Sequence, residues 1–462
     1  MSEPDAAVRD QFARHVNPTF AKLLGVLGYG RVWVRAEGAT LVDDAGVRYV
    51  DLLAGFGSMN LGHSHPELLR ALAAALAASP VHVCHTGATP HEAAVAARLA
   101  AAAGPPFEIA MMSSTGAEAV EAAIKLARAA TRRAGVLSCD GGFHGLSLGT
   151  LSIMGATRLR APFEPLVPGT QRIPFGDVAA LAKALAKKKH AAFVVEPIQA
   201  EAGVVLPPPG YLAAARELCT AHGTLLVFDE VQTGIGRTGA RFAFHDEKIT
   251  PDLLVLAKAL GGGVVPVGAT LCSAELHRRG YGSLDRFDAH GSTFAGNPLA
   301  CAAAIATLDL VDRDGLAARS RELGERLIER LTARIGGHPL VRAIRGRGLL
   351  VGVEVGTGLS SAVSDASAWL AEHAPRLGRL APPPFIGQWF AVRMLEAGYL
   401  CQPAAHAWDV LKLEPPLTIE ESALDGAVDA LARILEDYRS AAAVLRDVGA
   451  RMASRGVKGW AW

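Results

Sequence analysis

The 462-residue sequence has almost no net charge, no clustered cysteines and no block of like charges. Its 46 Lys and Arg balance 45 Asp and Glu, which excludes the basic footprint of a nucleic-acid-binding protein. Its six cysteines lack CxxC spacing, which is typical of reduced cytoplasmic thiols rather than of a disulfide framework or zinc site. The N-terminus has no basic or apolar signal region, so we expect a cytoplasmic protein. Half of the residues are hydrophobic, which excludes a disordered chain.

One weakly charged stretch, residues 253–274, has the length of a membrane span. Lys258 lies inside it and is followed by three glycines at 261–263 and by Pro266. A lysine at mid-bilayer is costly, and the glycines and the proline would interrupt a spanning helix. The stretch therefore predicts a buried strand, a turn and a second strand, and no membrane contact.

Between about residues 65 and 300, short apolar runs alternate with segments of helical periodicity. The runs predict strands at 108–112, 135–138, 192–196, 224–228, 253–257 and 267–272, and the segments between them predict helices such as 116–130, 178–188 and 211–221. This alternation favours an α/β fold in which helices cover both sides of a mostly parallel sheet.

The rest of the chain is expected to form a second, smaller unit. We predict a large α/β domain at 65–310 and a small α+β domain at 311–462, to which the N-terminal segment 1–64 contributes. A Gly/Ser-rich stretch that ends in three prolines, at about 357–388, predicts a long insert or lid.

Two further patterns are weak indications of a site. Residues 234–239 (GIGRTG) match the dinucleotide fingerprint, but five residues separate them from the preceding strand and no helix start follows. Several histidines have no convergent carboxylate or cysteine set, so packing or surface positions are favoured over metal ligation. These are His63, His65, His82, His85 and His91. We therefore predict no metal site.

A carboxylate and a lysine end two neighbouring predicted strands. Asp229 follows the apolar run 225–228 and Lys258 ends the next run; alone, the acidic residue would suggest only a helix cap or a turn. Because α/β sheets bind ligands at the carboxyl ends of their strands, both side chains can face one crevice. Residues 114–118 (STGAE) open a helix there and offer backbone N–H groups to an anion, and Phe143 offers an aromatic face. Pyridoxal phosphate needs these groups, including a lysine for the Schiff base.

The sequence resembles the class III pyridoxal-phosphate aminotransferases of fold type I over roughly residues 30–435. Six segments carry the resemblance, in the family's order: 114–128 (STGAEAVEAAIKLAR), 143–145 (FHG), 196–203 (EPIQAEAG), 226–239 (LVFDEVQTGIGRTG), 256–263 (LAKALGGG) and 291–301 (GSTFAGNPLAC). The resemblance implies pyridoxal 5'-phosphate as cofactor, a large domain with a mostly parallel seven-stranded sheet, a smaller α+β domain, and a homodimer with shared active sites. The GIGRTG segment is then the end of a family motif.

The resemblance also implies roles for individual residues. Lys258 would form the Schiff base and move the proton of the 1,3-shift, and Asp229 would pair with the pyridine nitrogen. The other implied contacts to the phosphate, the ring and the groups behind them are Thr115, Gly116, Ala117, Phe143, His144, Glu196, Val231, Gln232, Ser292 and Thr293. In this family the last two come from the partner subunit, and for His144 a packing role is an alternative.

Within the family, the segments 55–57 (GFG), 205–212 (VLPPPGYL) and 411–418 (LKLEPPLT) resemble the putrescine (diamine) and ω-amino acid aminotransferase branch. This makes Phe56, Glu201 and Lys412 candidate substrate residues. Lys412 stands where many relatives have an arginine that grips a substrate carboxylate, and a lysine lacks the bidentate fork. A Glu201–Lys412 pair that opens for 2-oxoglutarate and closes for an amine is one hypothesis. The alternative is that Lys412 only balances local charge.

We expect an aminotransferase that moves a primary, terminal amino group between an amine or ω-amino compound and an oxo acid or aldehyde. The cycle would be ping-pong, through pyridoxamine phosphate. Its partners would be a small amine donor and an oxo-acid acceptor, and a carrier-tethered substrate is a further alternative. A racemase or epimerase, an aminomutase or a decarboxylase would keep the cofactor and change the reaction. A non-catalytic binding protein is disfavoured because Lys258 and Asp229 are both present.

Overall fold

The computed structural model describes residues 3–27, 29–356, 386–440, 443–444 and 446–447. The predicted insert at about 357–388 lies almost wholly outside the described residues.

In chain order, the helices α1 to α16 are Glu3–His15, Pro18–Leu27, Ala54–Gly57, Pro66–Ala77, Pro90–Ala103, Gly116–Thr131, Leu148–Ser152, Thr157–Arg160, Val178–Leu185, Tyr211–His222, Ala243–Glu247, Ala274–Tyr281, Pro298–Arg313, Leu316–Ile335, Ile386–Glu396 and Glu421–Glu436. The strands β1 to β15 are Trp33–Glu37, Thr40–Asp43, Arg48–Asp51, Ile109–Ser113, Gly135–Cys139, Thr170–Ile173, His190–Val195, Leu225–Asp229, Leu253–Leu256, Gly268–Cys272, Val341–Arg347, Leu350–Val355, Tyr399–Leu400, Gln402–Pro403 and Val410–Leu413.

A seven-stranded sheet forms the centre of the fold, in the order β4-β10-β9-β8-β7-β5-β6. The strands from β9 to β6 in this order pair in parallel. Strand β10 runs antiparallel to both of its neighbours, β4 and β9. The predicted mostly parallel α/β sheet is therefore confirmed.

Both faces of the sheet are buried, as the continuous apolar runs predict. Along β8, Leu226 and Phe228 join one hydrophobic cluster, whereas Val227 joins another. Because successive side chains of a strand point to opposite faces, these clusters lie on the two sides of the sheet. Helix α6 contributes to the second cluster, and helices α10 and α13 contribute to the first.

Two four-stranded sheets complete the described fold, in the orders β1-β2-β3-β13 and β11-β12-β15-β14. Strand β13 pairs in parallel with β3, so residues near the start and near the end of the chain share one sheet. Strand β15 pairs antiparallel with β12, and this pairing sets Lys412 opposite Gly352. The domain boundaries at 64/65 and 310/311 stay predictions.

Strand β6 (Thr170–Ile173) was not predicted from the sequence. Its residues, TQRI, form no apolar run. Strand β6 lies at the edge of the sheet and, among the described strands, pairs only with β5, so it is less buried than the central strands. The stretch 253–274, in contrast, forms β9, a turn and β10 as predicted. Among the described residues, no helix is both long enough and apolar enough to cross a membrane.

Candidate active site

A cavity of about 400 Å³ lies at the carboxyl ends of the central strands. Asp229 is the last residue of β8, and Lys258 closely follows β9. Ten of the predicted cofactor contacts line the cavity: Thr115, Gly116, Ala117, Phe143, His144, Glu196, Asp229, Val231, Gln232 and Lys258. The parallel sheet thus brings together residues that lie far apart in the sequence.

Lys258 adopts a strained backbone conformation at the edge of this cavity. Its φ of 46° lies in the left-handed region, and it begins a 3₁₀ turn, Lys258–Gly261. Such a conformation costs a non-glycine residue on the order of 1–3 kcal/mol and is typical of functional sites. Its Nζ donates a hydrogen bond to Oε1 of Gln232. Burial lowers the pKa of Lys258, although the carboxylate of Glu201 opposes this shift. A lowered pKa makes a lysine a better nucleophile at neutral pH.

Asp229 is buried and held by two hydrogen bonds. Nδ1 of His144 lies 2.8 Å from Oδ2 of Asp229, and the backbone N–H of Val231 donates to Oδ1 over 3.1 Å. Burial opposes protonation of His144, but the hydrogen bond and the negative charge of Asp229 outweigh it and raise the pKa of His144. The pair therefore fixes a carboxylate at the cavity wall and places a proton-bearing imidazole beside it.

Two further buried glutamates have distinct positions. Glu196 accepts a 2.8 Å hydrogen bond from the backbone N–H of Phe143, and burial raises its pKa to about 8. Through this hydrogen bond, Glu196 orients the segment that carries the ring of Phe143. Glu230 accepts a 2.8 Å hydrogen bond from the N–H of Phe244, and burial raises its pKa to about 7. The sequence neighbours Asp229 and Glu230 are thus separated, since only the first lines the cavity.

The N-terminus of α6 forms one end of the cavity. Thr115 caps the helix by accepting a 3.2 Å hydrogen bond from the N–H of Glu118, whose carboxylate accepts a 2.7 Å bond from the N–H of Ser114. The first N–H groups of a helix have no partner within the helix, and they attract anions. The side chain of Val231 packs closely over Gly116: a Cβ at position 116 would lie 3.1 Å from Cγ1 of Val231.

A charged cluster lies behind Gln232, next to the cavity but outside its lining. Lys412 is fully buried, and its Nζ pairs with Oε1 of Glu201 and lies 2.8 Å from Oε1 of Glu414. Burial opposes the charge of Lys412, but these two carboxylates outweigh it and raise its pKa. Burial would likewise raise the pKa of Glu201, yet Lys412 lowers it to about 2. The ring of Phe56 lies 5.3 Å from Nζ of Lys412. The structure thus brings the three predicted substrate residues together.

Comparison with known proteins identifies the family of this arrangement. The profile of the family "Aminotransferase class-III" matches residues 28–435. The chain belongs to the class III aminotransferases. Among curated relatives, "Aminotransferase PigE" of Serratia sp. (strain ATCC 39006) is 35% identical over 454 residues. That match covers 93% of this chain and 53% of PigE, so the chain spans about half the length of that protein.

Two solved aminotransferase structures share the fold. The ornithine aminotransferase from Toxoplasma gondii is 31% identical with a TM-score of 0.80, and the match covers 93% of each chain. An amine transaminase from an uncultivated Pseudomonas species is 29% identical with a TM-score of 0.75, and the match covers 87% of this chain and 93% of that one. The predicted fold type I and the predicted class III aminotransferase family are confirmed.

Pyridoxal 5'-phosphate is the cofactor of this class III aminotransferase. The cavity fits it, because an anion site at the start of α6, a buried carboxylate and a lysine with a lowered pKa surround one space. When bound, the cofactor supplies an aldehyde carbon that reacts with amines and a ring that withdraws electrons. Among the residues that the structure describes, no group of three His, Cys, Asp or Glu side chains could hold a metal ion.

Ser292 and Thr293 do not line the cavity within one chain. Oγ of Ser292 lies 3.5 Å from Oγ of Ser114, and the carbonyl of Thr293 lies 2.9 Å from Nε2 of His85. Their assignment to the cofactor site of a partner subunit therefore stays a prediction.

Glu414 and Arg237 belong to the site's framework and were missed by the sequence analysis. Glu414 accepts a 2.7 Å hydrogen bond from Nε2 of Gln232. Arg237 is fully buried, and its guanidinium donates to the carbonyls of Leu349 and Pro415 over 2.9 and 2.6 Å. Glu414 lies in the motif LKLEPPLT and Arg237 in GIGRTG, so the sequence did mark both positions as part of family motifs. Their hydrogen-bond partners are distant in the sequence and could not be read from it.

Proposed function

We propose that this class III aminotransferase moves a terminal primary amino group from an amine or ω-amino compound to an oxo acid or aldehyde. The observation that supports this proposal most directly is the distribution of positively charged side chains around the cavity. Among the described residues that line the cavity, the side chains able to carry positive charge are Lys258 and His144, and both have partners. Lys412 is held by two carboxylates.

This charge distribution favours a donor without a carboxylate on its reacting carbon. An α-amino acid carries a carboxylate there, and a buried carboxylate needs a cationic partner. A terminal amine carries only hydrogens and its alkyl chain on that carbon, so it needs no such partner. The acceptor's carboxylate would be bound when Glu201 turns away and leaves one hydrogen-bond donor of Lys412 available.

Within this function we propose that Lys258 links covalently to the cofactor, and that its free amine later moves the substrate's proton. Asp229 would pair with the pyridine nitrogen, with His144 supporting its carboxylate. The start of α6, at Thr115, Gly116 and Ala117, would bind the phosphate. Phe143 and Val231 would cover the two ring faces and Gln232 would bind near the ring hydroxyl, since all three line the cavity.

We also propose a homodimer in which Ser292 and Thr293 complete the partner's site. Three large apolar side chains of the same segment support this, because they are exposed in the single chain. Leu284 is 94% exposed, and Phe287 and Phe294 are both more than half exposed. Large exposed apolar side chains within one short segment, here 284–294, are typical of interaction surfaces. Sedimentation equilibrium should give twice the chain mass, and a monomer that retains full activity would contradict the shared site.

Single-turnover reactions of the holoenzyme test the substrate class. The probes are 1,4-diaminobutane, 4-aminobutanoate and 2-aminobutanoate, and the measurement is conversion of the cofactor absorbance to its pyridoxamine form. We expect kcat/KM to be at least about tenfold higher for the two terminal amines than for 2-aminobutanoate. Preference for 2-aminobutanoate would overturn the proposal. Consumption of an amine without the pyridoxamine form would indicate a racemase, aminomutase or decarboxylase.

A further inference from the structure

A second cavity, of about 630 Å³, lies among helices α1 and α2, strand β1 and the turn Ala54–Gly57. Its wall is largely aromatic and aliphatic, with Phe12, Phe20, Leu24, Trp33, Leu53 and Phe56 among the lining residues. The rings of Phe12 on α1 and Phe20 on α2 lie 6.4 Å apart. Cavities of this size and character are typical of sites for apolar ligands.

Each of the two arginines that line this second cavity lies beside an aspartate outside its lining. Arg9 forms an ion pair with Asp44. Nε of Arg31 donates to the hydroxyl of Tyr49 over 2.9 Å and lies 3.5 Å from Oδ2 of Asp43. Because each guanidinium has a carboxylate beside it, the cavity favours an uncharged, apolar occupant.

One strained turn separates this cavity from the cofactor cavity. Ala54 and Phe56 have φ of 45° and 58°, in the left-handed region. The N–H groups of Leu53 and Ala54 each donate a 2.9 Å hydrogen bond to Oδ1 of Asp51, which holds the turn in place. Phe56 faces the second cavity and also lies against the ammonium of Lys412, whereas Ser58, just beyond the turn, lines the cofactor cavity. The two cavities are therefore neighbours across a few residues.

We propose that the second cavity binds an apolar tail of the substrate, an alkyl chain attached to the reacting amine or carbonyl carbon. The tail would leave the cofactor cavity past Phe56, whose ring lies between the charged cluster and the apolar wall. This inference rests on the proposed function and narrows its substrate class to long-chain amines and aldehydes. The proposal also assigns a function to helices α1 and α2. They line the second cavity but contribute none of the predicted cofactor contacts.

Chain-length dependence tests this inference on the holoenzyme. The probes are straight-chain primary amines from propylamine to octylamine, and the measurement is single-turnover kcat/KM from the cofactor absorbance. Burying one methylene contributes about 0.8 kcal/mol, so we expect roughly a fourfold gain per added methylene until the cavity is full. Inhibition constants of the matching n-alkanols, which cannot react, should fall along the same series.

A filling variant shows where the tail binds. Leu24→Trp, on α2, should abolish the gain with chain length and leave propylamine unchanged. Leu76→Trp is the matched control, because Leu76 is an exposed leucine on α4 outside the cavity. If Leu24→Trp does not fold, Val8→Trp fills the same cavity from α1.

The outcomes separate this inference from the proposed function. If short amines react and no gain accompanies added methylenes, the tail site is refuted and the proposed function stands. A gain that survives both filling variants would also overturn the assignment to this cavity. If no amine of any length converts the cofactor, the proposed function itself fails.

Discussion

Nε2 of Gln232 donates a 2.7 Å hydrogen bond to Oε2 of Glu414. A carboxylate only accepts, so this bond fixes the orientation of the Gln232 amide and turns its Oε1 toward Nζ of Lys258. The other carboxylate oxygen of Glu414 lies 2.8 Å from Nζ of Lys412. Glu414 therefore connects the lysine of the cofactor cavity to the lysine proposed to bind substrate.

Removing the charge of Glu414 should change substrate preference. In Glu414→Gln, Lys412 keeps one charged partner instead of two, so its positive charge is less compensated. We expect the KM of an oxo-acid acceptor to fall and that of a diamine donor to rise, each by about fivefold, which corresponds to roughly 1 kcal/mol. Steady-state kinetics with 2-oxoglutarate and 1,4-diaminobutane measure both values.

Glu354→Gln is the matched control for this variant. Glu354 pairs with Arg345 away from the cavity, so both KM values should stay unchanged. If Glu414→Gln raises both KM values together, Glu414 has only a structural role.

Gly116→Ala should weaken cofactor binding. Its Cβ would approach Cγ1 of Val231 to 3.1 Å, in the cavity wall beside the proposed phosphate site. We expect the Kd of pyridoxal phosphate to rise about tenfold, measured by fluorescence titration of the apoprotein. Gly337→Ala, where an added Cβ meets nothing within 4 Å, should leave the Kd unchanged. If Gly116→Ala binds pyridoxal phosphate with the same Kd as the wild type, the phosphate does not bind at the start of α6.

Alkaline pH should destabilise the apoprotein through Glu196. Its pKa rises from an ordinary 4.5 to about 8 on folding, so between these values the folded protein holds a proton that the unfolded chain has released. Stability therefore falls as the pH rises through this window. The raised pKa of His144 acts in the same direction. From pH 6 to 9 we expect Glu196 to contribute a loss of roughly 2–3 kcal/mol, at 1.36 kcal/mol per pH unit.

Urea unfolding at pH 6 and pH 9 measures this loss. Glu196→Gln cannot titrate, so its stability should fall less than that of the wild type. Glu217→Gln removes an exposed carboxyl of α10 and should behave as the wild type. If all three proteins lose the same free energy of unfolding between pH 6 and pH 9, Glu196 is not the cause of the loss.

The sequence was sufficient for the elements that apolar runs define. Asp229 and Lys258 could be placed together, because each ends a buried strand and parallel strands present their carboxyl ends at one edge. Strand β6 escaped prediction because an edge strand needs no apolar run, and the antiparallel direction of β10 is not encoded in its residues. The partners of Glu414 and the cavity beneath α1 and α2 depend on how distant segments approach each other, which local sequence does not specify.

Borohydride reduction of the holoenzyme, followed by peptide mass spectrometry, tests the central claim most directly. Reduction turns a covalent lysine–cofactor link into a stable amine, so the labelled residue can be identified. We predict about one phosphopyridoxyl group per chain, on the peptide that contains Lys258, and none on Lys412. Lys258→Ala should lose both the label and the visible absorption, and its activity should fall about 10⁴-fold. A stoichiometric label on another lysine, or an unchanged spectrum in Lys258→Ala, would contradict the account.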